Sequence, residues 1–225
     1  MLKLYYLNTQ NSSKSMENYL LKKISYERFN KIKNLKYTTY RTLSLYSELV
    51  LRYSLMRDFA MTTQKICFMS NKYGKPFIKG HPNLHFNISH SKKVIVCAIS
   101  TNNVGVDIEF TQKKSTPFHI AKRFFHPKEY IDIISTPFAS RAEYFYAYWT
   151  LKESYIKYIG KGFSMPLKDF WVSINRSQNK LILSSSNKHP KNMHLIHITP
   201  GYSAAISFDA PEINAIESIS PIQLL

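Results

Sequence analysis

The sequence predicts a mixed α/β (α+β) fold made of two similar lobes, each a helix with an antiparallel sheet, and three observations lead there. Segments with helical spacing are interspersed with short runs at period two rich in β-branched and aromatic residues. Leu51-Arg52-Tyr53-Ser54-Leu55-Met56 returns in outline as Leu151-Lys152-Glu153-Ser154-Tyr155-Ile156. Each copy is followed by Gly-Lys-x-Phe, at Gly74 to Phe77 and at Gly160 to Phe163, and then by a strand, a turn and a second strand. The second strands share small apolar centres, Cys97-Ala98-Ile99 against Ala204-Ala205-Ile206. Order kept across three matches argues for an internal repeat, with lobes expected at 1–103 and 104–225.

Taken along the chain, helices are expected near 16–35, 38–60, 116–134 and 139–159. Strands are expected near 1–7, 65–69, 84–88, 93–100, 104–110, 170–175, 180–184, 193–199 and 202–208. The last long helix has the clearest support: Tyr144, Phe145, Tyr148, Trp149, Tyr155 and Ile156 give it a broad apolar face, and Gly160 suits its C-terminal stop. No low-complexity linker divides the chain, so the lobes should be tightly joined.

With 44% hydrophobic and 14% aromatic residues among 225, a packed core is expected. The charge balance is unusual: 31 Lys and Arg face 14 Asp and Glu, a formal +17. Such a balance suits an acidic partner (nucleic acid, a phosphate-rich cofactor, an anionic membrane or an acidic protein) or a solvated basic surface. Cys67 and Cys97 are the two cysteines, and Cys97 lies inside Val94-Ile95-Val96-Cys97-Ala98-Ile99, which points to a buried thiol and away from a disulfide framework. The N-terminal stretch lacks a signal-peptide pattern and no apolar run approaches the ~20 residues that span a bilayer, so the expected address is cytoplasmic, without a membrane partner.

Four constellations could carry chemistry. In Val104-Gly105-Val106-Asp107-Ile108-Glu109-Phe110, alternation puts the apolar residues on one face and Asp107 and Glu109 on the other, roughly 7 Å apart at Cα. That separation suits a hard cation with room for a phosphate, although on spacing alone a half-exposed strand with an acidic outer face accounts for it slightly better. On the last long helix, Glu153 and Lys157 stand at i and i+4 beside Trp149, ordinarily a surface ion pair. Asn87-Ile88-Ser89-His90-Ser91 is expected at the turn between two strands, where Ser89 and His90 could bind phosphate oxygens. A hydrolase is rejected, since no nucleophile elbow accompanies the Ser-His pair. Basic residues that could grip a polyphosphate are scattered: Arg28 and Lys31, Arg41, and Lys75 in Tyr73-Gly74-Lys75-Pro76. His81, His85 and His90 lack zinc-like spacing and a cysteine pair, and His194 and His197 are weaker still.

Taken together, Tyr73-Gly74-Lys75-Pro76, Phe86 to Ser91, Val104 to Glu109, Phe124-Phe125-His126-Pro127-Lys128-Glu129 and Trp149 to Lys157 resemble the surfactin-type 4′-phosphopantetheinyl transferases in content, order and gaps, from about residue 1 to 208. The resemblance implies a pseudo-dimer of two lobes, acting as a monomer, with coenzyme A in the cleft between them. It implies that Asp107, Glu109 and Glu153 hold Mg²⁺ against the pyrophosphate. Glu153 would be the general base for a carrier-protein serine, and Lys157 and His90 would stabilise the departing 3′,5′-ADP. It places Arg28, Lys31, Arg41 and Thr42 near the 3′-phosphate, Lys75 and the Tyr73-Gly74 backbone near the adenine, and Ser89, His90, Asp107 and Lys157 near the phosphates. An apo acyl or peptidyl carrier protein with an acidic surface would dock around 111–125 and from Gly160 to about 191.

Two other classes account for parts of the sequence. A basic nucleic-acid-binding module would use the +17 charge and the aromatics, but gives no reason for two carboxylates on one strand, and no helix-turn-helix or ribonucleoprotein motif is present. A catalytically inactive family member would be expected to lose a carboxylate, and all three stand.

Overall fold

The computed structural model describes residues 1–62, 66–112, 116–175 and 180–225. In chain order, β1 (Leu2–Asn8) leads to α1 (Lys14–Leu20), α2 (Tyr26–Lys33) and the long α3 (Thr38–Phe59). A small ribbon, β2 (Phe68–Ser70) and β3 (Pro76–Ile78), precedes the hairpin β4 (His85–Ser91) and β5 (Val94–Ser100). The second half runs β6 (Val104–Phe110), α4 (Phe118–Phe124), α5 (Pro127–Ser135), α6 (Arg141–Ile159), β7 (Trp171–Asn175), β8 (Lys180–Ser184), β9 (Asn192–Ile196), β10 (Tyr202–Phe208) and β11 (Ala215–Ile219).

Two expected helices are each two. Residues 16–35 divide at Ser25, whose side chain caps α2 by accepting from Arg28 N, while its own N–H and hydroxyl donate to Glu48 at 2.7 and 3.0 Å. Residues 116–134 divide at Phe125-His126-Pro127: the proline ring leaves no N–H to continue a helix, and His126 caps α5 with Glu129 reaching back to its backbone.

The first sheet has the order β11-β1-β5-β4 and the second β6-β10-β9. Antiparallel pairing is as expected except for β1 with β11, which is parallel, with Lys3 opposite Ala215. That last strand had no place among the expected elements and corrects the assignment of everything after 103 to the second lobe, because Ile219 and Leu224 lie in the core of the first. Its charged Glu217 and isolated position past the second hairpin hide the period-two pattern.

Without β11 the sheets share one plan, β1-β5-β4 and β6-β10-β9. Seven-pair ladders run from Leu2↔Ser100 to Asn8↔Val94 in one and from Val104↔Phe208 to Phe110↔Tyr202 in the other. Tyr5 therefore corresponds to Asp107, Leu7 to Glu109 and Cys97 to Ala205. The expected match of Cys97-Ala98-Ile99 to Ala204-Ala205-Ile206 is shifted by one residue, which would put every side chain on the wrong face. The two Gly-Lys elements are likewise not equivalents: Gly74 turns the β2–β3 ribbon at φ 88° and Gly160 ends α6 at φ 76°. They are instead neighbours, with Asn71 Nδ2 donating to the Gly160 carbonyl at 3.1 Å.

One face of each sheet buries a common core, Leu2, Leu4, Val96 and Ala98 against Val104, Val106, Ile108 and Ile206. The opposite faces carry the helices, α3 over Tyr5, Ile95, Cys97 and Ile99, and α6 over Gly105, Asp107 and Ala205.

Candidate active site

The two sheets also meet edge to edge, through side chains. Along the outer edge of β6 the backbone N–H groups of Val106, Ile108 and Phe110 have no strand partner. They donate to Asn87 Oδ1 at 2.8 Å, Ser89 Oγ at 3.4 Å and Ser91 Oγ at 3.0 Å. Asn87, Ser89 and Ser91 are therefore residues of β4, not of a turn; the turn is at Lys92, where φ is 54°. The acidic face of β6 is not an outer one either. Asp107 is 4% exposed, and its Oδ1 accepts from Ser89 Oγ at 2.8 Å and from Lys157 Nζ at 2.6 Å. Its Oδ2 is buried with no hydrogen-bond partner. Glu109, half-buried, accepts from Ser91 Oγ at 3.0 Å.

The opposite wall is α6, which lies unusually close to the sheet. A Cβ on Gly105 would meet the Ser154 carbonyl and the Tyr158 N at 2.2 Å, so glycine is required for the approach. Small residues continue the contact, with Thr150 Oγ1 to Ser203 Oγ at 3.2 Å and Ser154 Oγ to Ser207 Oγ at 2.9 Å. Lys157, expected to pair with Glu153, turns across the gap to Asp107 and also donates to Ser89 Oγ at 2.9 Å. Glu153 faces the same space. Desolvation and the negative charges of Asp107 and Glu109 push its carboxyl up to about 7, with Lys157 opposing.

Sequence reading assigned no role to the group that anchors this wall. Lys152 is fully buried, donating to Glu129 at 2.7 Å and to the Phe170 carbonyl at 2.9 Å, with its ammonium 4.1 Å from the Phe170 ring. Glu129 also accepts from Val172 N at 2.9 Å and His126 N at 3.0 Å. The signal was the unexplained Phe-His-Pro-Lys-Glu run. Trp149, one turn before Glu153, stacks on Phe125 and Phe145 at 6.1 Å each.

Between these walls lies a cleft of about 1190 Å³, ample for a ligand larger than a drug-sized molecule. Tyr73, Gly74, Lys75, Ser89, His90, Asp107, Glu109, Glu153 and Lys157 all line it. The Lys75 ammonium is turned into the junction of the lobes, donating to Asn103 Oδ1, the Val104 carbonyl and the Tyr158 carbonyl at 3.1 to 3.2 Å, and burial pushes its pKa down to about 8. His90 opens onto the cleft, its pKa lowered by enclosure and by the charges of Lys157, Lys31 and Arg28. Arg28 is held by Glu48 at 3.2 Å. Thr42 donates to Glu17 at 2.9 Å and the exposed Arg41 to the Leu35 carbonyl at 2.7 Å, so these two are not drawn to the cleft. Parts of the expected docking stretches, 113–115 and 176–179, lie outside the described residues.

The residues suit a hard divalent cation in chemistry: three carboxylates, an orphaned buried oxygen on Asp107, and a carboxyl on Glu153 raised by desolvation and by the neighbouring negative charges. Among the described residues, no group of three or more His, Cys, Asp or Glu side chains is arranged to hold a metal ion, with Lys157 taking Asp107 Oδ1 instead. Among the described residues no helix is long and apolar enough to cross a membrane.

A family model described as 4′-phosphopantetheinyl transferase, N-terminal, matches residues 11–102, and one described as the 4′-phosphopantetheinyl transferase superfamily matches residues 103–207. The 4′-phosphopantetheinyl transferase Sfp of Bacillus subtilis strain 168 is 35% identical over 169 residues, covering 75% of this chain and 75% of Sfp. The chain belongs to the 4′-phosphopantetheinyl transferase superfamily. Gsp of Aneurinibacillus migulanus, also named a 4′-phosphopantetheinyl transferase, is 40% identical over 162 residues, covering 72% of this chain and 66% of Gsp. The psf-1 transferase of Bacillus pumilus is 29% identical over 205 residues, covering 91% of this chain and 87% of its own. The two superfamily matches meet in the connection between β5 and β6, beside Asn103, to which Lys75 is tied. In this transferase superfamily member all three carboxylates of the cleft fall within the second match.

Proposed function

We propose that this chain moves the 4′-phosphopantetheine group of coenzyme A onto a serine of an apo acyl or peptidyl carrier protein, releasing 3′,5′-ADP. The observation that carries the reading is the convergence of Asp107 and Glu109 from β6 with Glu153 and Lys157 from α6 on one large cleft. The named relatives support the same reaction class.

Asp107, Glu109 and Glu153 would hold Mg²⁺. When bound, the ion neutralises charge on the diphosphate and polarises its oxygens. Ser89 and His90 lie along the phosphates, and the stem of Lys75 with the Tyr73-Gly74 backbone flanks the adenine. Arg28 and Lys31, whose charges reach His90, attract the 3′-phosphate, with Arg41 and Thr42 completing that site after releasing their present partners.

The carrier serine Oγ attacks the β-phosphorus of coenzyme A, forming a new P–O bond as the anhydride oxygen leaves with 3′,5′-ADP. Glu153 takes the serine proton. Its place in the cleft beside Asp107 and Glu109, one turn from Lys157, supports that role. Lys157 and His90 face the charge that grows on the leaving group. The basic balance of the chain supports an acidic carrier surface. The pseudo-dimer contains both lobes in one chain and would act as a monomer.

The test is a mass-shift assay: protein, Mg²⁺ and coenzyme A with a panel of apo carrier proteins. Each accepted carrier gains the mass of one phosphopantetheine arm. No gain on any carrier would overturn the reading.

A further inference from the structure

We infer that Ser91 is a positioning residue for Glu109: its hydroxyl is oriented by the backbone of β6 so that its proton is committed to that carboxylate. A serine hydroxyl has one proton and two lone pairs. Phe110 N donates to Ser91 Oγ at 3.0 Å, which occupies a lone pair and turns the proton away from β6's amide. The proton goes to Glu109 Oε2 at 3.0 Å. Ser91 is 9% exposed, so little water competes for either contact.

The same relay stands one rung along the strand. Ile108 N lies 3.4 Å from Ser89 Oγ, which donates to Asp107 Oδ1 at 2.8 Å. In both, the amide of the residue after the carboxylate donates to a β4 hydroxyl, joined at Ser89 by Lys157 Nζ at 2.9 Å, and the hydroxyl returns a bond to the carboxylate. The third rung lacks a carboxylate, because its strand residue is Gly105. There β4 presents Asn87, whose amide oxygen accepts from Val106 N at 2.8 Å and has no proton to pass on. A row that merely satisfied the edge of β6 would need acceptors alone. Hydroxyls stand where a carboxylate must also be held.

This inference rests on the proposed cation site, since a carboxylate with fixed orientation is worth most as a ligand, and outer partners of ligands commonly change affinity or activity by about 10- to 100-fold. The experiment compares wild type, Ser91→Ala, Ser91→Thr, Asp107→Ala, Glu109→Gln and the Ser91→Ala/Glu109→Gln double variant. Mn²⁺ is titrated calorimetrically into the coenzyme A complex, and kcat, KM and the melting temperature are measured alongside.

For Ser91→Ala we expect Mn²⁺ affinity and kcat each down by about 10-fold, the KM for coenzyme A changed less than about twofold, and both losses restored by Ser91→Thr. In the Glu109→Gln background, Ser91→Ala should cost nothing further in kcat. A Ser91→Ala variant with a lower melting temperature but wild-type kcat and Mn²⁺ affinity would show a purely structural serine and overturn the inference, as would losses that multiply in the double variant. Wild-type protein that takes up no Mn²⁺, or Asp107→Ala protein that takes up as much as wild type, would instead bring down the cation reading itself and the inference with it.

Discussion

Where the second lobe has Asp107, Glu153 and Lys157, the first has Tyr5, Tyr53 and Arg57. The pairing ladders align Tyr5 with Asp107, and the helical repeat aligns Tyr53 with Glu153 and Arg57 with Lys157. The cation contact matches, with the Arg57 guanidinium 5.8 Å over Tyr5 as Lys157 reaches Asp107, and the Tyr5 and Tyr53 rings meet edge to face at 6.0 Å where Asp107 and Glu153 both line the cleft. One scaffold thus fills the same place with an aromatic pair under a cation or with carboxylates under a cation. The first is a packed joint that needs nothing more. The second leaves an orphaned oxygen and a carboxyl raised to about 7. The helix distance differs too, since β1 carries Lys3 where β6 carries Gly105, and only glycine lets the helix backbone come so near.

Breaking the comparison at its chemical centre should have the largest effect. Asp107→Ala should lower the carrier-loading rate by more than about 100-fold while the far-ultraviolet dichroism stays that of the wild type. A rate within twofold of wild type would remove Asp107 from the site.

The next effect sharpens a difference in how each long helix is anchored. Lys152→Met leaves the buried Glu129 without its charge partner and should cost about 3–5 kcal/mol in denaturant unfolding. Arg52→Met in the first lobe should cost less, because Glu48 keeps Arg28 and the N–H and hydroxyl of Ser25. Equal losses would mean that those contacts do not compensate.

Gly105→Ala should cost about 3 kcal/mol and reduce turnover by moving α6 and Glu153 off β6. Lys3→Ala, at the matching place, takes the ammonium from the buried Asp58 carboxylate, which keeps the Tyr5 hydroxyl, and should cost about 1–3 kcal/mol with turnover unchanged.

The smallest effect is that of Tyr5→Phe, which removes the hydroxyl bond to Asp58 at 2.7 Å. About 1 kcal/mol of stability should go, and carrier loading should be untouched. A loss of loading would show that the first lobe's triad has a part in the reaction.

The site was legible where residue type and local period coincide. Asp107 and Glu109 announce themselves by alternation on one strand, and Glu153 and Lys157 by helical spacing. What could not be read is what depends on contacts distant in the chain. Lys157 looks like the partner of Glu153 at i and i+4, yet it bonds Asp107, 50 residues away. Ser91 reads as a turn residue until β6 is placed beside it. Cys97 and Ala204 look alike by size, but the face each presents is set by register, which small apolar residues do not specify. The breaks at Ser25 and Pro127 were present in the sequence as a capping serine and a proline, and the continuous apolar spacing around them masked both.

The parallel pairing of β1 with β11 also bears on how the chain acquires its shape. Lys3 lies opposite Ala215, so β1 leaves the ribosome long before the strand that covers its outer edge. Contacts of such sequence separation slow folding and leave an uncovered strand edge in the interval. The nascent chain's most exposed period therefore precedes the synthesis of Ala215–Ile219, and cutting the chain after β10 should leave the first sheet prone to self-association.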